Sequence, residues 1–154
     1  HNLLGKILDK IDNYEKKKKK KVILDHETTK TSKINKFVMK SNKIEIINKT
    51  NNMKKEISSA RFGICAGGIT TYEFATLHIP FAIVCQYKHQ ILTAKEWHKR
   101  KIAKNLGFIQ KDVKKMDVFL NQLMQNKIIL NPSTLVDGLG SKRVAKEILK
   151  LMKN

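Results

Sequence analysis

Apolar residues return along this chain with two periods, and the switching between them outlines the fold. Leu3, Leu4, Ile7, Leu8 and Ile11 recur at helical spacing, which predicts a helix over residues 2–14. "KVILD" (residues 21–25) is a short continuous apolar run and reads as a strand. "TTKTSKINKFVMKS" carries Ile34, Phe37 and Val38 on one helical face, and "KIEIIN" (residues 43–48) is strand-like. "NNMKKEISSA" opens with an Asn able to cap a helix that holds Met53 and Ile57 four residues apart. "RFGICA" (residues 61–66) predicts a strand ended by Gly67-Gly68, "TTYEFATLH" a short helix, and Pro80 a turn before the strand "FAIVCQ" (residues 81–86). Ile91, Ala94, His98 and Ile102 then space as one helix stopping near Gly107, after which "FIQ" is a candidate sixth strand. Two further helices are marked by Val113, Met116, Leu120, Leu123 and Met124, and by Val144, Ile148 and Leu151.

Strands and helices alternate, and the strands are continuous apolar runs rather than one-sided ones. That is the pattern of a parallel sheet covered on both faces, so the expected fold is α/β, doubly wound and Rossmann-like. A chain of 154 residues is one domain's worth, and neither an internal repeat nor a linker divides it. The expectation is a single domain over residues 1–154.

Charge changes the picture more than composition does. There are 32 basic residues against 13 acidic, a formal charge of +19, and a field of that sign attracts phosphates. The lysines are spread along the chain without the interleaved aromatics of a single-strand binder. The one dense block, "EKKKKKK" (residues 15–21), falls where a helix ends and a strand begins, a place where cations suit the helix dipole. It reads as a solvated connector or as a nucleic-acid patch. No stretch reaches the ~20 apolar residues of a membrane span, and no secretory signal opens the chain, so a cytoplasmic location is expected. Cys65 and Cys85 lack metal-site spacing and fall in apolar runs, which predicts reduced core thiols. No metal and no cofactor are called for.

The segment "ICAGGITTYE" (residues 64–73) carries the chemistry. In parallel sheets ligands bind beyond the carboxyl ends of the strands, and Gly67 and Gly68 lie at one such end. Glycine lets backbone amides approach a ligand, and the first turn of a helix offers unpaired N–H groups with a partial positive charge. Thr70 and Thr71 add hydroxyl donors. Glu73 accepts only, so it suits a pair of sugar hydroxyls rather than a phosphate. Diphosphate plus ribose is one coherent ligand. A plain structural turn, with Glu73 merely complementing the helix dipole, is the other reading of the same residues. His89 titrates near neutrality and is a candidate acid or base, or else a surface histidine; His26 is a poorer candidate of the same kind. Asp137 beside Gly138 reads as a turn and cap for the last helix.

"AGGITTYEFATLHIPFAIVCQYKHQ" (residues 66–90) resembles the nucleotide-sugar signature in the C-terminal domain of GT-B glycosyltransferases, the MurG-like group. More closely it resembles the PseG-type UDP-sugar hydrolases of pseudaminic acid biosynthesis. There the pattern runs A-G-G-S-T-x-x-E, a Leu-Gly-x-Pro turn, an apolar strand and an Asn-Gln pair. Gly67, Gly68, Thr70, Glu73, Pro80 and Gln90 match, and "NNMKKEISSARFGICAGG" and "LVDGLGSKRVAKEIL" extend the likeness over most of the chain. The resemblance implies that Gly67, Gly68 and Thr70 cradle the diphosphate of a UDP-sugar, that Glu73 holds the ribose, that Gln90 touches sugar or phosphate, and that Thr50 to Met53 lie near the uracil. Two positions depart from the pattern: the serine after Gly-Gly is Ile69, and the Asn of Asn-Gln is His89. The reaction implied is cleavage of a UDP-sugar to release UDP, favoured by the "VDGLGSKRV" tail, or else glycosyl transfer.

The same resemblance implies an incomplete sheet. The family's domain opens with a strand that feeds the first helix, whereas this chain begins inside that helix. In the order 3-2-1-4-5-6 the first strand is central, so its absence leaves a gap between the strands at Val22–Asp25 and Phe62–Ala66. A missing N-terminal domain or a partner chain is expected to supply it. The catalytic histidine of the hydrolases belongs to that other half, so this chain alone is expected to bind UDP weakly and turn over nothing. The competing expectation is a basic nucleic-acid-binding module.

Overall fold

The computed structural model describes residues 3–14, 19–24, 44–108, 113–125, 127, 130 and 136–152. The chain divides into two compact units, residues 1–53 with 108–128 and residues 54–107 with 129–154. The fold is α/β, and among the described residues every strand pairs in parallel.

In the first unit, helix α1 (Leu3–Tyr14) precedes strand β1 (Lys20–Leu24), which pairs with β2 (Ile44–Asn48) in the register Val22 with Ile46. Leu8, Val22, Leu24 and Ile44 form a buried cluster with Ile46 packed against it. Two ion pairs tie the unit's helices and strand: Lys10 of α1 with Asp117 of helix α5 (Val113–Met124), and Lys20 of β1 with Asp12, at 2.9 Å. The helix expected from "TTKTSKINKFVMKS" and His26 lie outside the described residues.

The second unit holds helix α2 (Met53–Ser58, its first residue in the other unit), then β3 (Gly63–Cys65), α3 (Thr70–Thr76), β4 (Phe81–Ile83), α4 (Gln90–Lys99) and β5 (Ala103–Asn105). These make two successive β-α-β crossovers in the order β3-β4-β5. The central strand β4 is buried at every residue, which explains its unbroken apolar run. Phe74 of α3 stacks on Phe81 at 5.4 Å, and Trp97 of α4 meets Phe81 edge-on at 6.3 Å. Burial of each such ring stabilises the unit by about 1.5–3 kcal/mol. Helix α6 (Gly140–Leu151) closes the described chain.

Two expectations need correction. The helix through Ile91, Ala94 and His98 does not continue to Ile102; it ends at Lys99. Lys101 takes a left-handed φ of 57°, its N–H donates to the carbonyl of His98, and the N–H of Ile102 donates to that of Trp97. This is a Schellman stop built without glycine, with Ile102 at the position that packs back on Trp97. The strand after α4 is Ala103–Asn105, the fifth of the described chain and five residues before "FIQ"; Phe108 is in no strand, and Ile109 and Gln110 lie outside the described residues. Helix α3 stops in the same way, with His78 at φ 56° and the N–H of Ile79 donating to Phe74.

The strands do not form one sheet. Among the described residues β1 pairs only with β2, and β3 pairs with β4 but with nothing on its other side. Gly63 donates to Pro80 and Cys65 accepts from Val84, so both face β4. Ile64 between them turns its N–H and C=O toward the open edge.

Candidate functional site

Three features of the local sequence build the turn after β3. Gly63 sits under α3 so closely that a Cβ there would lie 2.1 Å from the Phe74 ring, which fixes how the helix packs on the strand. The chain then folds tightly at Ala66, whose carbonyl accepts the N–H of Gly68 at 2.9 Å. Thr71 closes the turn: it is fully buried, and both its N–H and its hydroxyl, the latter at 2.7 Å, donate to the carbonyl of Gly68. Thr71 is therefore a brace of the turn rather than a free donor.

What remains around the turn is a set of donors, buried at Gly67 and nearer the surface at Ile69 and Thr70. The amides of Gly67, Ile69 and Thr70 make no hydrogen bond with the described residues, and neither does the hydroxyl of Thr70. They cluster where the partial positive charge of a helix start adds to them. The Ile69 side chain is 81% exposed beside them and caps nothing.

The paired glycines differ. Gly67 is buried, and a Cβ on it would lie 2.8 Å from the Cβ of Gln90, so the protein's own packing demands glycine there. Gly68 is exposed, its φ is not in the left-handed region, and a Cβ on it would meet nothing within 4 Å. Among the described residues no contact requires Gly68 to be glycine.

Gln90 starts α4 and is buried; its Oε1 accepts the N–H groups of Gln86 at 2.8 Å and Tyr87 at 3.4 Å. It holds the β4–α4 loop against Gly67. His89 is exposed and stacks on Tyr87 at 5.7 Å. Among the described residues no acid, base or hydroxyl partners it.

Glu73 lies in the first turn of α3, half-buried, and its carboxylate makes no hydrogen bond or ion pair with the described residues. It faces the Cys65 thiol at the end of β3: burial, and secondly the Glu73 charge, push that thiol up to about 12. Cys65 is thus protonated and unreactive at neutral pH. Both cysteines are free, as expected from their apolar settings.

Thr50 and Met53 belong to the first unit and are described there alone. The Thr50 hydroxyl accepts the N–H of Asn52 at 3.1 Å, and Met53 opens α2. Asp137 makes the turn that its position predicts but does not cap the helix, which starts from Leu139 without a side-chain cap: its carboxylate accepts the N–H of Leu139 and hydrogen bonds from both terminal nitrogens of Arg143 at 2.7 and 3.0 Å. The Arg143 hydrogen bonds, then the Leu139 amide, lower its pKa to about 2.

Sequence reasoning missed an open groove of 510 Å³ between α3 and α4, lined by Tyr72, Leu92, Thr93, Glu96, Trp97 and Arg100. Tyr72 and Trp97 meet edge-on at 5.2 Å in its wall, and Glu96 bonds Arg100 at 2.6 Å on its rim. The helical spacing of these residues was visible; their convergence from two helices was not. Among the described residues no group of three or more His, Cys, Asp or Glu could hold a metal ion, and no helix is long and apolar enough to cross a membrane. No protein-family model, curated protein or solved structure matches the chain.

Proposed function

We propose that the turn from Gly67 to Glu73 binds the diphosphate and ribose of a nucleotide sugar, a UDP-sugar by its resemblance to GT-B C-terminal domains. Gly68 carries this reading: among the described residues nothing requires glycine there, and it stands beside amides that bond to none of them. A β-phosphate oxygen approaching Ile69 and Thr70 needs that open space. Thr70 adds a hydroxyl, and the unpaired carboxylate of Glu73 sits one helical turn on, where two sugar hydroxyls can donate to it.

The strand order supports the family reading. Removing the first strand from the order 3-2-1-4-5-6 leaves 3-2 and 4-5-6. Each unit taken by itself fits one of these pieces: β1 pairs with β2 in one, and the order β3-β4-β5 holds in the other, all in parallel. On this reading a strand from outside these 154 residues, in an N-terminal domain or a partner chain, pairs with Ile64 at the open edge of β3. In the hydrolases the chain resembles, the half that would supply the strand also carries the catalytic histidine, so on this reading the chain alone binds UDP weakly and releases no sugar.

Calorimetric titration at two salt concentrations tests the proposal against the basic-module reading. UDP binding should survive the higher salt and be lost in Glu73→Ala. Short nucleic acids should bind weakly, with affinity falling steeply as salt rises. Nucleic-acid binding that outlasts salt while UDP gives no heat would overturn the proposal.

A further inference from the structure

Helix α6 buries none of its residues. Its aliphatic side chains are more than half exposed, from 52% at Ile148 to 77% at Leu151, with Val144, Leu149 and Met152 between. At ~100° per residue these five and Ala145 share one continuous arc of about 160° of the helix circumference. Lys142, Lys146, Lys150 and Arg143 occupy the opposite side with Glu147. Arg143 is bound to Asp137 and Lys150 to Glu147, while Lys142 and Lys146 make no ion pair with the described residues; Lys142 borders the apolar arc beside Leu149, Lys146 lies about 60° beyond Leu149, and Glu147 borders the arc on the Leu151 side.

We propose that this face of α6 docks on an anionic lipid surface. The arc is apolar apart from Ser141 in its first turn and offers no aromatic anchor of the kind that dominates protein interfaces, whereas a bilayer needs only apolar area and opposite charge. Lys142 at the edge of the arc and Lys146 behind it both lie on the Leu149 side, where their long stems can follow the acyl boundary and their ammonium groups reach lipid phosphates. A second copy of this chain is disfavoured as the occupant, because each copy carries +19. Nucleic acid would engage the basic side alone and leave the apolar arc in water. The Asp137 clasp on Leu139 and Arg143 holds the start of the helix in place before it docks. The inference is independent of the nucleotide site.

The test is flotation of the full chain with vesicles of phosphatidylcholine alone and of phosphatidylcholine with an equal part of phosphatidylglycerol, at moderate salt. The chain should float with the anionic vesicles and not with the zwitterionic ones. Ile148→Asn with Leu151→Asn keeps the charge and should weaken anionic-vesicle binding on the order of 100-fold. Hydrogen exchange on the unaltered chain gives a second reading that needs no folded variant: amides of residues 144–151 should gain protection on anionic vesicles while those of β3, β4 and β5 do not change. Equal binding by the Asn variant, protection elsewhere but not in α6, or a lipid-free dimer abolished by the same substitutions would each overturn the proposal.

Discussion

Helices α3 and α6 both follow a glycine-bearing turn, and they do opposite things with their apolar residues. α3 buries Thr71, Phe74 and Ala75 against its own sheet, and its first turn leaves backbone donors at the surface. α6 fixes its first turn with Asp137 and leaves its apolar face outside. The turn before α6 nevertheless packs near α3: Gly138, at φ 72°, brings the chain against Thr76 at that helix's C-terminal end. The contrast teaches that an amphipathic period shows a face to be covered, not what covers it. It also separates glycines that serve the fold, such as Gly63 and Gly67, from Gly68 and Gly140, where a Cβ would meet nothing.

The largest expected effect is at the α3 core. Phe74→Ala should lower the unfolding free energy by about 3–5 kcal/mol, whereas Ile148→Ala on α6 should change it by no more than about 0.5 kcal/mol. Urea unfolding measures both, and equal losses would break the contrast. Next come the paired glycines. Gly67→Ala must displace the backbone or Gln90 and should cost about 1–3 kcal/mol, while Gly68→Ala should be neutral or stabilising by about 0.4–1 kcal/mol. Thermal melts that place the two variants together would refute the distinction. Smaller still, Lys101→Gly relieves a left-handed lysine and should raise stability by a few tenths to about 1 kcal/mol. A melting temperature that falls would contradict the helix stop described for α4.

The smallest effect is on pH. The Asp137 carboxyl is depressed in the folded chain, so its contribution is complete above the ordinary value of 3.8 and declines as pH falls toward about 2. Amide protection at Leu139 should fade over that window, and Asp137→Asn should remove the pH dependence. Fading near neutrality instead would point to another group.

Much of this contrast was legible in the residues. The continuous apolar runs placed β3 and β4, and the Gly-Gly pair placed the turn, because burial on both faces and tight turning leave direct marks on composition. The end of α4 was not legible. Ile102 continues the helical spacing from His98, and the stop is made by Lys101 in a conformation that the sequence signals only when glycine or asparagine adopts it. Strand β5 was missed for the same reason, since Ala103–Asn105 has no apolar run and owes its place to pairing with β4. At the site, the pattern singled out Gly67, Gly68, Thr70, Glu73 and Gln90. It could not say that Gln90 is engaged by Gln86 and Tyr87, or that Thr71 braces the turn, because those roles arise from packing between elements.

Amide chemical shifts of the labelled chain, followed as UDP is added, address the ligand reading most directly. The account predicts that the resonances of Gly67, Ile69 and Thr70 move together along one saturating curve, and that Gly68→Ala abolishes the movement without shifting the melting temperature downward. If those three resonances stay fixed while UDP perturbs only lysine-rich segments, the turn after β3 is a structural turn and not a binding site.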